Sequence, residues 1–263
     1  MPMGANQRCD SIQRMDTQRG RRVSLERPSY FLKTQAAKSP RLTLPLAWLQ
    51  GKRELVDRST DILIESFPRC ASSFAIAAFR LAQEPLSYRV ACQTHAPGHV
   101  IAAVRLRVPS LVLIREPMDT IVSNLFRHPE RGPDGLLHGY RRFYEPLLPY
   151  RSGFVVGTFR EVVDGRLGEV IRRVNARFGT SFAEFDSTQE NVERCLRWID
   201  DKWRSDRFQG EERLERTVPR PSQLRENMKE ELRQRYRSAE SRLRDRAEYL
   251  YEELTRGEVV DSA

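Results

Sequence analysis

The sequence predicts an α/β fold: a central parallel sheet flanked by helices, followed by a helical C-terminal region. Three stretches carry this reading. Residues Ile62-Leu63-Ile64 and Ser110-Leu111-Val112-Leu113-Ile114 are short apolar runs, and each passes through a proline-bearing loop into helix-forming residues. Phe154-Val155-Val156-Gly157-Thr158-Phe159 repeats the pattern, with the amphipathic stretch 167–178 behind it. Strands without polar alternation are buried on both faces, as parallel strands are, and strand-then-helix units give right-handed crossovers.

Composition sets the outer bounds. With 263 residues, 39% hydrophobic and 31% charged, the chain can bury a substantial core and still carry charged extensions. Its net charge of +9 favours anionic partners without choosing among nucleic acid, acidic lipid, a nucleotide or a sulfated or carboxylated acceptor. No apolar run approaches the roughly 18 residues that span a bilayer, and the N-terminal residues lack the apolar core of a secretory signal. No membrane association is therefore expected. Cys9, Cys70, Cys92 and Cys195 are far apart and show no CxxC spacing, so neither zinc nor a disulfide framework is indicated and a cytoplasmic location is expected.

Residues 1–45 are rich in Arg and Gln with little apolar periodicity, and are expected to form a poorly ordered basic arm. An α/β domain is expected over 46–210 and a charged helical extension over 211–263.

Within the domain, the stretch from Asp61 begins with a short apolar run of strand type, passes through Pro68 and a knot of small and hydroxylated residues, and runs on from Ala75 to Leu81 as helix-forming apolar residues, so a strand, a tight loop and a helix are expected. The first N–H groups of a helix entered from such a loop point outward as an anion site. Arg69 adds a fixed cation, and Ser72 and Ser73 add two hydroxyl donors. Taken alone, an ordinary helix capped by serine, with Arg69 as surface charge, is the simpler account.

Cys92-Gln93-Thr94-His95-Ala96-Pro97-Gly98-His99 reads as a strand end entering a loop and a short helix. The second apolar run ends at Arg115-Glu116-Pro117, with Pro117 at the start of the next helix, where proline is tolerated. Residues 127–135 read as a surface loop, and His128 and His138, ten residues apart, as exposed loop histidines rather than metal ligands. A helix is expected over 139–148, with Tyr140, Phe143, Tyr144 and Leu147 as core. Gly179 is a C-cap for the helix before it.

From about residue 189 the chain is helical and charged, with Leu196, Trp198, Ile199 and Trp203 on one face. Past Pro219-Arg220-Pro221 a stripe of Leu224, Met228, Leu232, Tyr236, Leu243 and Leu250 breaks near 238–241, so a helix packed by one face onto the domain is expected rather than a coiled coil. A parallel sheet binds ligands beyond the carboxyl ends of its strands, where Arg69, His95 and Arg115 all fall.

Two of these segments together resemble the sulfotransferases that use 3′-phosphoadenosine 5′-phosphosulfate (PAPS). The family's phosphosulfate loop, Tyr/Phe-Pro-Lys/Arg-Ser-Gly-Thr/Ser-Thr/Ser after a strand, stands here as Phe67-Pro68-Arg69-Cys70-Ala71-Ser72-Ser73. Its 3′-phosphate motif, an Arg at a strand end and a Ser eight residues later, stands as Arg115 and Ser123. Gln93-Thr94-His95 is similar to the family's Lys-Thr-His segment, and Phe159 falls where an aromatic stands near adenine.

The resemblance covers roughly residues 60–185 and implies a P-loop NTPase-like sulfotransferase fold with PAPS as co-substrate and no metal. It implies Arg69 and His95 as catalytic residues. It further implies Arg69, Cys70, Ala71, Ser72, Ser73, Phe74, Arg115, Ser123 and Phe159 as the nucleotide site. The acceptor would be a hydroxyl or amine of a small molecule or carbohydrate, shaped by residues 127–139 and the C-terminal helices. Cys70 and Ala71 depart from the family's Ser and Gly, and Ala71 replaces a residue free to take positive φ. A catalytically impaired anion-binding protein is the alternative, as is a P-loop-type kinase, although GxxxxGK[ST] is missing. Nucleic-acid binding is not expected, since few aromatics interleave the Arg-rich ends.

Overall fold

The computed structural model of the protein describes residues 39–52, 54–205 and 223–257. The basic arm as far as residue 38, Cys9 and the Pro219-Arg220-Pro221 segment lie outside the described residues, as do the side chains of Trp203 and Leu224. Helix α1 (Pro40–Leu49) precedes β1 (Ile62–Ser66) and α2 (Ser72–Ala82). Next, β2 (Val90–Cys92) leads into α3 (Pro97–Leu106), and β3 (Ser110–Ile114) into α4 (Pro117–Arg127). After α5 (Pro133–Tyr144) and a 3-10 segment (Glu145–Gly153), β4 (Val155–Thr158) runs into α6 (Phe159–Val163) and α7 (Leu167–Phe178). Among the described residues, the helices that follow are α8 (Gln189–Ser205), α9 (Gln223–Arg237) and α10 (Ser241–Thr255).

The α/β architecture is as the sequence predicts. Among the described residues four strands pair in parallel, in the order β2-β1-β3-β4. Every residue of β1 and β3 is buried, as unbroken Ile/Leu/Val runs covered by helices on both faces require. Each such side chain contributes about 1.5–3 kcal/mol on burial.

Strand order fixes where a ligand can sit. From β1 the chain moves outward to β2, then returns past β1 to β3 on the other side, so the order reverses between β1 and β3. Ser66 pairs with Leu113, which brings the ends of the two strands together. The loops leaving them diverge over the crevice that open α/β sheets use for binding.

The helix expected over 139–148 begins earlier, at Pro133, and gives way to a 3-10 segment at Glu145. Proline at the first helical position is preset for a helix, while Pro146 and Pro149 lack the N–H that an α-helix needs. The break in the C-terminal stripe is a corner between two helices, where the Glu240 N–H donates to Asp134 Oδ1 at 2.9 Å. Leu232 and Tyr236 of α9 and Leu243, Leu250 and Leu254 of α10 are buried. Helix α9 packs on α4 and α10 on α5, so both back the elements that carry the site.

Candidate functional site

The loop after β1 takes a left-handed turn twice, with φ of 77° at Arg69 and 65° at Ala71. Each costs a residue with a Cβ about 1–2 kcal/mol, so other contacts must hold it. Asn124 Nδ2 donates to the Pro68 carbonyl at 3.2 Å, and Arg115 Nη1 to the Arg69 carbonyl at 3.4 Å. Beneath, the Tyr144 hydroxyl accepts from the Phe67 N–H at 3.4 Å and donates to the Leu113 carbonyl at 2.8 Å. Ala71 thus occupies the left-handed conformation that glycine would take freely.

Helix α2 opens directly from that turn. No side chain caps it, and its first backbone bond at this end runs from the Ala75 N–H to the Ala71 carbonyl at 3.0 Å. The N–H groups of Ser72, Ser73 and Phe74 are left facing the loop, with the positive end of the helix dipole behind them. Cys70 instead points into the core, 3.5 Å from the Tyr144 hydroxyl, and burial pushes its thiol up to about 11. It anchors the loop as a neutral group and offers an anion its backbone alone. Phe74 packs edge-on against Phe185, with ring centroids 6.1 Å apart.

Arg69 reaches across the crevice, where its Nε donates to Ser123 Oγ of α4 at 2.9 Å. Arg115 lies alongside, its guanidinium 3.8 Å from the centre of the Phe159 ring and 3.8 Å from Asp119 Oδ2. Tyr140 and Thr120 hydroxyls both donate to the Arg115 carbonyl, at 3.0 and 3.2 Å. Phe159 is held in turn by a capping box, in which Thr158 and Glu161 satisfy each other's backbone N–H at the start of α6. Arg115 Nε is buried and has no acceptor among the described residues. Burial draws the Arg115 pKa below the usual range, although Asp119 and Glu116 oppose this. Arg69, Ser123, Arg115 and Phe159 therefore form one cluster over the ends of β1, β3 and β4.

His95 sits on the turn between β2 and α3, with φ of 53°. Its Nδ1 lies 2.8 Å from the Ser66 carbonyl, which only accepts, so Nδ1 carries the proton and donates. The other ring nitrogen, Nε2, has no partner among the described residues, and about a third of the side chain is exposed (34%). His99 differs. Its Nδ1 lies 2.9 Å from Glu65 Oε2 and its Nε2 accepts from the Val56 N–H at 2.9 Å, with the side chain fully buried. Both nitrogens of His99 are committed, so it is structural.

No motif or spacing in the sequence marks Glu65, Asn124, Tyr140 or Tyr144 as a site residue. The two tyrosines are core residues, as their spacing predicts, but their hydroxyls also brace the loop and the Arg115 backbone. His128 lies 3.4 Å from Glu130, and no group of three metal-ligating side chains occurs among the described residues. No helix among them is long and apolar enough to cross a membrane.

The class that fold and site define is an α/β protein with an arginine-lined crevice at the switch point of a parallel sheet. No family model matches the sequence, and no curated protein matches it. Among solved structures, a mouse sulfotransferase, SULT7A1, complexed with PAP, aligns at a TM-score of 0.38 and 12% identity over 74% of this chain and 90% of that chain. A likeness at that level decides nothing about activity.

Proposed function

We propose that this chain is a sulfotransferase that moves a sulfuryl group from PAPS to a hydroxyl or amine of a small molecule or carbohydrate. One observation carries the reading: Arg69 Nε bonds Ser123 Oγ at 2.9 Å while Arg115 Nη1 holds the Arg69 carbonyl. Two cation-bearing motifs at neighbouring strand ends meet in one crevice, which suits a nucleotide carrying phosphate at two positions. The buried, unpaired Arg115 Nε and the open N–H groups of α2 fit such a ligand.

In this reading Arg115 and Ser123 hold the 3′-phosphate, and the Phe159 ring fixes the guanidinium of Arg115 and borders the adenine. Ser72, Ser73 and the first N–H groups of α2 hold the 5′-phosphate. Arg69 stabilises the negative charge that builds on the leaving oxygen, and being always protonated it acts electrostatically. PAPS supplies the activated sulfuryl group. His95 Nε2 takes the acceptor's proton, and orientation in the crevice supplies much of the rest. The described cysteines, Cys70, Cys92 and Cys195, are free, consistent with the reducing cytoplasm proposed as its setting.

Transfer of radiolabelled sulfate from PAPS to a mixed panel of phenols, alcohols, amines and sugars tests the activity. Labelled product that requires both Arg69 and His95 is expected. PAP binding without product for any acceptor supports the impaired, nucleotide-binding alternative, and binding of ATP in preference to PAP supports a kinase.

A further inference from the structure

Next to the last residue of β1 stands a carboxylate, Glu65, that the apolar run Ile62–Ile64 before it has no packing reason to hold. Glu65 is fully buried, yet it accepts from five donors: the Ser66 N–H at 3.1 Å, the Thr94 N–H at 2.9 Å, the Thr94 hydroxyl at 2.8 Å, the His95 N–H at 3.2 Å and His99 Nδ1 at 2.9 Å. Burial by itself would raise its pKa, but the His99 hydrogen bond, the two imidazoles and Thr94 outweigh it and hold the carboxyl down at about 2. A buried anion this fully satisfied is a rigid anchor.

What it anchors is the turn that carries His95. Three of the five donors belong to Thr94 and His95, and Glu65 Oε1 stands 3.6 Å from His95 Nδ1, beside the Ser66 carbonyl that receives the Nδ1 proton. A protonated Nδ1 faces one acceptor at hydrogen-bond distance and one negative charge. The opposite tautomer would face the Ser66 carbonyl with a lone pair and leave Nε2 with a proton and no acceptor among the described residues.

We propose that Glu65 is a positioning residue for the proposed sulfuryl transfer: it pins the left-handed turn of His95 and fixes the Nδ1–H tautomer, so that Nε2 is the proton acceptor. His99 completes the cage around Glu65 rather than sharing in proton transfer. The assignment rests on the sulfotransferase reading, but its structural half can be tested without any nucleotide.

Nitrogen-15 NMR of the imidazoles is that test, and with only four histidines in the chain a His95→Gln variant assigns the signals. In the wild type His95 and His99 are both expected as Nδ1–H tautomers, and in Glu65→Gln His95 is expected to become a mixture. Turnover of PAPS with 2-naphthol as acceptor probe falls about 10²-fold in that variant while PAP affinity is retained. An Nε2–H tautomer at His95 in the wild type overturns the proposal, as does a Glu65→Gln protein with the wild-type tautomer at His95.

Should Glu65→Gln fail to fold, carbon-13 NMR of the wild-type Glu65 side chain decides. The titratable groups facing it are His95, His99 and the Cys92 thiol. A carboxylate signal down to pH 4 supports the anchored anion, and a carboxyl that titrates above pH 4 overturns it. A wild type that binds no PAP, yet loses the His95 tautomer on Glu65→Gln, supports the positioning role and removes the reaction assigned to it.

Discussion

Arg69 and Ser123 meet across the crevice, Nε to Oγ at 2.9 Å, although they stand on a loop after β1 and a helix after β3. The contact exists because β1 and β3 are neighbours whose ends are in register, and because Asn124, one residue along α4, ties that helix to the Pro68 carbonyl. A site assembled before any ligand arrives binds without the cost of ordering its own side chains.

Ala71 is strained where a glycine would not be. Ala71→Gly is expected to raise stability by about 1 kcal/mol, because relief of a left-handed Cβ exceeds the entropy that glycine loses on folding. Urea unfolding of the two proteins measures it. A loss of stability would mean that the left-handed turn is not occupied.

Tyr144 links three parts of the site through one hydroxyl. Tyr144→Phe removes its bonds to the Leu113 carbonyl and the Phe67 N–H and is expected to cost about 1–3 kcal/mol of stability. It should also weaken PAP binding by loosening the loop, which calorimetry would register.

His95 and His99 are four residues apart and should separate cleanly. His95→Ala is expected to lower turnover by about 10²- to 10⁴-fold with little change in stability. His99→Ala is expected to destabilise by about 3–5 kcal/mol, since it removes a partner of a buried carboxylate. Chemical denaturation and steady-state turnover on both variants check this. A loss of turnover confined to His99→Ala, with the stability loss confined to His95→Ala, would contradict a proton-accepting His95 and a structural His99.

Acid should reveal Glu65. Its folded-state pKa, about 2, lies below the unfolded value, so its ionised form stabilises the protein above the unfolded pKa. That contribution is lost as pH falls from about 5 toward 2. Stability measured across this range should fall more steeply in the wild type than in Glu65→Gln. Equal slopes would contradict the depressed pKa.

Much of this was legible in the chain. The apolar runs 62–64 and 110–114 became β1 and β3, and the residues that the family resemblance marked, Arg69, Arg115 and Ser123, converge because those strands are adjacent. Glu65 was not legible, since a lone carboxylate at a strand end shows its purpose only when Thr94, His95 and His99, some thirty residues on, fold against it. The bracing by Tyr140 and Tyr144 was hidden for another reason: helical spacing identifies a buried ring but not where its hydroxyl points. The early start of α5 at Pro133 was masked by composition, because Pro, Gly and Asp read equally as loop or as a helix N-terminus.

Binding of 3′-phosphoadenosine 5′-phosphate by isothermal calorimetry, to the wild type and to Arg115→Ala, tests the two-phosphate crevice most directly. Wild-type binding weakened about 10- to 100-fold in the variant is expected, the value of charge-assisted hydrogen bonds to one phosphate. Equal affinity of the two proteins, or no binding to either, would contradict it.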